Sequence, residues 1–224
     1  IREPAALCGI AGLKPTYGLC SRRGILPLAF SLDHPGPMAW TVEDCALLLQ
    51  AMAAHDPADP ASLERPVPDF SRGLGRGVKG LRIGVVPRWH AADCPVSPAV
   101  QRGFDSALAA WRDQGADIVD ITMPSLSDYQ AVCVVIMLCE AYALHEPWMR
   151  SRLYDYGELF RDRILLGGLI SSTDYLQALR RRRELCVMTA KATARVDVIA
   201  TPGAPREAAR IDSISKWGFL ASTE

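Results

Sequence analysis

The chain has 224 residues, 49% hydrophobic and 22% charged, which is typical of a folded protein with a sizeable core. Lysine plus arginine and aspartate plus glutamate both number 25, so the net charge is zero and no overall field favours nucleic acid or an anionic membrane. The composition excludes a disordered chain and a collagen-like repeat, so any partner must be recognised at a local site.

The cysteines and apolar runs indicate the cellular setting. Seven cysteines are scattered, with no Cys-x-x-Cys spacing and no histidine pair at metal-ligand distance, which predicts reduced thiols, no metal site and a cytoplasmic protein. The longest uninterrupted apolar run, residues 131–139, is less than half of the roughly 20 residues that span a bilayer. The sequence therefore predicts no transmembrane helix, and its start does not resemble a secretion signal.

The first forty residues combine glycine and proline with short apolar pieces at 9–13 and 24–28, which predicts short strands and tight turns, not helix. The turn at 33–37 closes this part of the chain. The chain opens without an initiator methionine, and residues 218–224 show no closing helix or charged tail. We interpret both ends as cuts in a longer protein.

A helix over about 42–54 is predicted next, because Thr41 can accept a hydrogen bond from the amide of Asp44 and apolar residues recur behind it at helical spacing. Residues 55–80 are rich in proline, glycine and charge, which is typical of an exposed connector. Such a connector need not separate two domains.

A strand, a helix and a second strand follow. Residues 81–86 form the first strand; the helix begins with Ser97 as cap and Pro98 at its first position and ends at Gly115; residues 118–123 form the second strand. This order predicts a βαβ unit with parallel strands.

The remaining elements are a long apolar helix over about 126–145, stopped by Pro147, a helix over about 173–194 and a strand at 196–200. No internal repeat is visible. The order predicts one α/β domain over residues 1–224, truncated at both ends, in which helices flank a mixed β-sheet.

The opening run is the sharpest motif, and it reads Ile1-Arg2-x-Pro4-Ala5-Ala6-x-Cys8-Gly9-x-x-Gly12-Leu13-Lys14-Pro15-Thr16-Tyr17-Gly18. Here the sequence resembles the amidase-signature family, in which Gly-Gly-Ser leads directly into such a run. The match continues through residues 31–38, 41–44 and 80–84 and is looser at 160–167 and 197–202. The resemblance covers nearly the whole chain.

The resemblance implies a partial amidase-signature fold and an amidase that hydrolyses a carboxylic amide through a serine acyl-enzyme, without metal or organic cofactor. The family uses a Ser-cisSer-Lys triad, in which a lysine activates the nucleophilic serine through a bridging serine, and backbone amides form the oxyanion hole. The nucleophile would directly precede Ile1, with the other two residues further upstream. We therefore find no catalytic residue in this chain and expect it to be inactive alone.

Two basic residues near the start have different interpretations under this resemblance. Arg2, two residues after the expected nucleophile, can support the nucleophile loop through charge-assisted hydrogen bonds; the alternative is a surface ion pair. Lys14 belongs to the family's Leu-Lys-Pro-Thr strand, so we interpret it as structural and not as the catalytic lysine.

Arg163 is a candidate substrate-binding residue, because the similar segment of the A subunits of tRNA-dependent amidotransferases supplies an arginine that recognises the carboxylate of glutamine. The alternative is a helix-surface charge. Those subunits usually carry a Tyr-Tyr pair before the residue that matches Glu140, where this chain has Cys133-Val134. That departure argues against glutamine as the ammonia donor.

The helix over 126–145 matches the region that lines the acyl pocket in family members, and we name Ile136 and Met137 as candidate substrate contacts. An almost entirely apolar helix is first of all a buried one, so most of its side chains are expected to be core.

Ser31, Asp33 and His34 lie close together, but adjacency in sequence does not build a catalytic triad. We interpret Asp33 as a turn residue that bonds its own backbone. The arginines of 180–183 are interpreted as a solvated helix face.

Two further functions stay open. One is the A subunit of a tRNA-dependent amidotransferase, which works with partner proteins and tRNA, and the other is a non-catalytic binding or scaffold module. The predicted partner is a small-molecule amide substrate, with no nucleic acid and no membrane, and a homodimer is left open.

Overall fold

Six α-helices and five β-strands form the described part of the chain, residues 1–213, in this computed structural model. The helices are α1 (Arg2–Cys8), α2 (Val42–Met52), α3 (Pro98–Asp113), α4 (Leu126–Ser151), α5 (Glu158–Leu165) and α6 (Ser172–Thr193). The strands are β1 (Ala11–Gly12), β2 (Met38–Ala39), β3 (Arg82–Val85), β4 (Asp117–Asp120) and β5 (Val198–Ala200). Short helical turns lie at Leu74–Arg76, Trp89–Asp93, Leu153–Asp155, Leu166–Leu169 and Ile211–Ser213.

The strands form two sheets. A three-stranded parallel sheet has the order β4-β3-β5, with Ile83 opposite both Ile118 and Val198. The strands β1 and β2 pair antiparallel, with Gly12 opposite Met38. The α/β prediction with helices around the sheet is confirmed, and within residues 1–213 the two strand directions occur in separate sheets.

The unit β3-α3-β4 has the predicted parallel arrangement. The hydroxyl of Ser97 accepts from the amide of Val100 at 3.2 Å, Pro98 takes the first position of α3, and Gly115 follows the helix at φ +89°. One face of α3 packs on the sheet through Phe104 and Leu108, which form a buried cluster with Val85. This apolar contact holds α3 against the sheet from which the loops leave.

The helix α2 begins as predicted, since the amide of Asp44 donates to Thr41 Oγ1 at 3.0 Å. A second apolar cluster joins its last turns to the chain before it and consists of Leu19, Cys20, Leu49 and Ala53. The connector over 55–80 contains the three-residue turn Leu74–Arg76 and no longer helix or strand. Its residues Val67 and Phe70 pack against the same cluster, so the connector is tied to the N-terminal part of the chain.

The prediction of no helix in the first forty residues is wrong, because residues 2–8 form α1. Pro4 lies in the first turn, where a missing N–H costs no helical bond, and Gly9 ends the helix at φ +66° with its amide directed at the carbonyls of Ala5 and Ala6. A Cβ added at Gly12 would lie 2.5 Å from the Cβ of Ala5, so glycine lets α1 pack directly on β1.

The helix α4 runs to Ser151, so the prediction that Pro147 stops it is wrong. The proline removes one backbone hydrogen bond, and the carbonyl of Pro147 accepts from Ser151 Oγ at 2.8 Å. Met149, two residues beyond the proline, is buried in a cluster with Ala141 and Ile164. We attribute the continuation to this apolar burial, which outweighs the cost of the proline.

Within residues 1–213, α4 is also the one helix that is long and apolar enough to cross a membrane by length and composition. The core helices of soluble proteins pass the same test. The absence of a membrane partner stays a prediction.

Candidate functional site

A cavity of about 700 Å³ opens at the start of α1, and we call it the N-terminal cleft. Its walls come from Arg2, from Lys14 after β1, from Leu32 to His34, and from residues 201–203 directly after β5. In open α/β sheets, ligands bind beyond the carboxyl ends of parallel strands, and β5 ends at this cleft. The fold thus brings four separate parts of the sequence to a position suited to ligand binding.

The wall from Leu32 to His34 is held by its own turn. The carboxylate of Asp33 accepts hydrogen bonds from the amides of Leu28 at 3.0 Å and Ala29 at 3.1 Å, which confirms its predicted role as a turn residue. Ser31 bonds to Glu140 and not to His34, and the Nδ1 atom of His34 lies next to the carbonyl of Leu32. These residues therefore form no catalytic triad, as expected.

Burial and positive charge lower the pKa values of two side chains of this cleft. Burial lowers the pKa of Lys14, and the nearby charge of Arg2 lowers it further. Burial is also the main cause of the lowered pKa of His34, whose ring meets that of Tyr17 edge to face with centroids 5.3 Å apart. The lowered pKa favours the neutral ring of His34 near pH 7. The Nζ atom of Lys14 donates to the carbonyl of Pro15 at 2.8 Å.

Arg2 lies on the wall of the N-terminal cleft, at the first position of α1, with an exposed side chain. It donates no hydrogen bond and forms no ion pair within residues 1–213. Among these residues Arg2 therefore has no partner, either for support of the nucleophile loop or for a surface ion pair. Its support of a nucleophile loop stays a prediction.

A second cavity of about 270 Å³ lies between α4 and α5, and we call it the apolar cleft. Met137 and Arg163, two of the predicted substrate contacts, both line it, together with Leu28 and Phe160. Ile136 is 0% exposed, so its side chain is part of the core and reaches no cleft surface here. The structure thus brings Met137 and Arg163 together and gives no support to Ile136 as a contact.

One loop connects the two clefts. Leu28 lines the apolar cleft, whereas Leu32, Asp33 and His34 line the N-terminal cleft. We call residues 28–34 the linking segment. Because it belongs to no helix or strand, its position depends on side-chain contacts.

The sequence reasoning missed one such contact. Glu140 is 2% exposed, and its carboxylate accepts from the amide of Ser31 at 2.9 Å, from Ser31 Oγ at 2.6 Å and from the hydroxyl of Tyr175 at 3.1 Å. The available signal was an acid directly after the apolar run of residues 131–139 in α4, because a carboxylate buried there requires hydrogen-bond partners.

His145 on α4 gives the same signal. It is 2% exposed, with its Nδ1 atom 3.0 Å from the hydroxyl of Tyr156 and its Nε2 atom 3.2 Å from the carbonyl of Pro27. Leu28 therefore lies between two attachments to α4, that of Pro27 to His145 before it and that of Ser31 to Glu140 after it. Within residues 1–213 no group of three or more His, Cys, Asp or Glu side chains could hold a metal ion.

A parallel sheet with a cleft at the carboxyl end of a strand places the chain in the class of α/β proteins whose small-molecule sites lie at such an edge. Comparison with known proteins identifies the family: the chain matches the Amidase family over residues 1–222 and belongs to it. The resemblance found in the sequence is confirmed.

Individual relatives agree with this assignment. The chain is 43% identical to an amidase of Pseudomonas putida over 97% of its own length and 47% of that protein. It is 39% identical to the A subunit of the glutamyl-tRNA(Gln) amidotransferase of Granulibacter bethesdensis, over 93% of this chain and 46% of the relative. The chain thus spans about half the length of the relatives it matches.

The fold is also that of the amidase-signature family. A solved structure from a vestigial protein complex that reveals the evolutionary origins of an s-triazine catabolic enzyme superimposes with a TM-score of 0.86. It is 35% identical, and the match covers 95% of this chain and 45% of that protein.

Proposed function

We propose that the complete protein to which these residues belong is an amidase, which hydrolyses a carboxylic amide to the acid and ammonia or an amine through a serine acyl-enzyme. The observation that supports this most directly is the N-terminal cleft. Ile1 and Arg2, the first residues of the signature motif, line it beside the carboxyl end of β5. A nucleophile that directly precedes Ile1 would therefore face this cleft.

The proposed chemistry is that of the family's Ser-cisSer-Lys triad. The serine oxygen attacks the amide carbon while its proton passes through the bridging serine to the lysine, and backbone amides stabilise the oxyanion. The C–N bond then breaks as the leaving nitrogen takes that proton, and water hydrolyses the ester. No metal or organic cofactor is required.

The residues of this chain would supply the substrate-binding walls. We assign Met137 and Arg163 to contact with the substrate, because both line the apolar cleft, and Arg2 to support of the nucleophile loop. Ile136 belongs to the core behind that cleft. With the triad outside the 224 residues, we further propose that this chain alone turns over no amide.

A second candidate is the A subunit of a tRNA-dependent amidotransferase, which the 39% identity to one such protein favours. Cys133-Val134 stands where those subunits usually carry Tyr-Tyr, and this departure weighs against glutamine as the ammonia donor. Glutaminase activity that appears only with partner subunits would support this candidate over the free-standing amidase.

The first test uses the complete protein and a panel of simple aliphatic and aromatic amides, with release of ammonia or amine as the measurement. Replacing the serine expected before Ile1 with alanine should lower kcat by at least about 10⁴-fold. The 224-residue chain, assayed in parallel, should not exceed the blank. Turnover by that chain, or an unchanged rate after the serine replacement, would contradict the proposal.

The second test addresses the apolar cleft. Met137→Phe narrows the cavity of about 270 Å³, so kcat/KM should fall more for amides with bulky acyl groups than for acetamide. The matched control is Met188→Phe, which places the same change on the exposed face of α6. An equal effect on large and small acyl groups would remove the apolar cleft from the substrate site.

A further inference from the structure

The linking segment has one buried polar attachment to α4, beside the apolar packing of Leu28 and the hydrogen bonds to the carbonyl of Phe30. Ser31 donates both its amide and its hydroxyl to the carboxylate of Glu140, at 2.9 and 2.6 Å. The two residues are 109 positions apart in the sequence, so this pair joins the N-terminal region to the middle of α4. Together they fix the backbone and the side chain of Ser31 in one orientation.

The surroundings of Glu140 supply hydrogen-bond donors to its buried carboxylate. Its oxygens receive three donors, two from Ser31 and one from the hydroxyl of Tyr175 on α6. A positive charge lies one step further out, because the Nη1 atom of Arg182 is 3.5 Å from Ser31 Oγ. A buried carboxylate without such partners is strongly destabilising, so the donor set compensates for its burial.

Fixing Ser31 has a consequence for the N-terminal cleft. The next three residues, 32–34, line that cleft and belong to no regular element. Asp33 closes the turn onto Leu28 and Ala29, and Leu28 packs on the buried apolar cluster of α4, so apolar contact places the start of the segment. The bond between Ser31 and Glu140 is the polar contact that places its middle, directly before the cleft wall.

We propose that Glu140 is a positioning residue, which holds the linking segment so that the wall at Leu32 and His34 keeps its place in the N-terminal cleft. The effect on catalysis rests on the proposed amidase function, whereas the effect on the position of His34 does not. Glu140 touches no substrate in this assignment and acts through Ser31.

Two substitutions of Glu140 distinguish the role of its hydrogen bonds from the role of its negative charge. Glu140→Ala removes all three hydrogen bonds and should release the linking segment. Glu140→Gln is nearly the same shape, and its amide can accept from the Ser31 N–H through oxygen while its nitrogen donates to the hydroxyls of Ser31 and Tyr175. The glutamine substitution should therefore restore most of the position that alanine loses.

Tyr129→Phe is the matched control. The hydroxyl of Tyr129 on α4 bonds to Thr189 Oγ1 on α6 at 2.6 Å, so it joins the same two helices as the bond between Tyr175 and Glu140. It does not touch the linking segment. General loosening of α4 against α6 should therefore follow from Tyr129→Phe, and displacement of the segment should not.

The first measurement is the NMR signal of the His34 ring in the complete protein, which needs no activity. These 224 residues contain four histidines, and His145 lies on α4 five residues beyond Glu140 and is bonded to the carbonyl of Pro27, so its signal reports on α4 and on the chain directly before the linking segment. We expect Glu140→Ala to shift the His34 signal and raise its titration midpoint as the ring gains solvent. The His145 signal should stay in place, and Glu140→Gln and Tyr129→Phe should leave both signals near their original positions.

The second measurement is amide hydrolysis by the same proteins. A displacement of the cleft wall by about 1 Å can lower the rate by about 10²-fold, so we expect Glu140→Ala to lose that factor mainly in kcat and Glu140→Gln to recover most of it. If the original protein hydrolyses no amide while His34 still shifts as expected, the proposed function fails and the positioning role stands.

Three results would overturn the positioning role. They are an unmoved His34 signal in folded Glu140→Ala protein, an equal shift of His145, and an equal shift of His34 in Tyr129→Phe. If Glu140→Ala does not fold, Ser31→Ala takes its place, because it removes the 2.6 Å hydroxyl bond and keeps the carboxylate. The same three results, read on that variant, decide the question.

Discussion

The N-terminal region, residues 1–40, and the strand-helix-strand unit, residues 82–120, are stabilised by different contacts. The unit consists of a parallel ladder covered by a helix, with Val85, Phe104 and Leu108 buried between them. The N-terminal region contains a short helix and two strands of two residues each, and charged side chains form several of the hydrogen bonds that hold its loops. The apolar contacts hold the sheet and its helix together, and the polar contacts fix the shape of the cleft walls.

The pair Arg22 and Asp59 illustrates the polar kind of contact. The guanidinium of Arg22 meets the carboxylate at 2.7 Å, and that carboxylate also accepts from the amides of Arg22 and Ala61. Arg22 further donates to the hydroxyl of Tyr17 at 2.9 Å and to the carbonyl of Phe30. One ion pair thus joins the loop before the linking segment to the connector. Directional bonds of this kind fix loop geometry that apolar contact alone would leave free.

The largest expected loss of stability comes from removing a buried apolar side chain of the strand-helix-strand unit. Phe104 is 8% exposed between α3 and the sheet, so Phe104→Ala should lower the free energy of unfolding by about 4 kcal/mol, measured by urea denaturation. Phe30→Ala is the control, because this side chain of the N-terminal region is 51% exposed and should cost about 0.5 kcal/mol or less. Equal losses would show that the cost of removing a phenylalanine side chain does not follow its burial.

The next largest loss of stability is expected from breaking the ion pair of Arg22 and Asp59. Asp59 is 6% exposed, and Asp59→Asn leaves the charge of Arg22 without its partner, so the free energy of unfolding should fall by about 3 kcal/mol near pH 7. The hydrogen bond from the Arg22 side chain is the main cause of the strongly lowered pKa of Asp59.

The pH dependence of that loss distinguishes the two regions. Because the pKa is lower in the folded state, the contribution is complete above the unfolded value of about 3.9 and disappears as the pH falls towards the folded value. The difference between the original protein and Asp59→Asn should therefore shrink in acid, whereas the loss from Phe104→Ala should stay. A constant difference for Asp59→Asn down to about pH 3 would contradict the ion-pair account.

Much of the strand-helix-strand unit could be predicted from sequence because its signals are local. Ser97 and Pro98 start α3, and Gly115 ends it, within one or two residues of the expected positions. The failures at α1 and Pro147 have different causes. At α1 the local signals were present, because Pro4 lies in the first turn and Gly9 ends the helix, and the interpretation as strands and turns overlooked them. At Pro147 tertiary burial, of Met149 in its cluster, decided the structure against the local pattern.

The candidate site was only partly predictable for the same reason. Met137 and Arg163 were found through family resemblance, and they share the apolar cleft. The bond between Ser31 and Glu140 spans 109 residues, and no local pattern states which distant donor a buried acid will meet. The sequence could indicate that Glu140 needed partners, but only the fold identifies them.

The smallest expected effect lies at Thr41, where a local signal predicted the start of α2. Thr41 Oγ1 accepts from the amide of Asp44 at 3.0 Å and donates to the Asp44 carboxylate at 2.8 Å, and both residues are exposed. Thr41→Ala should lower the free energy of unfolding by about 1 kcal/mol, measured by urea denaturation, because it leaves one amide of the first turn unpaired. Thr41→Ser keeps the hydroxyl and should therefore retain most of the free energy of unfolding that alanine loses. A loss as large as that for Asp59→Asn would mean that Thr41 also contributes to tertiary contacts, beyond the start of α2.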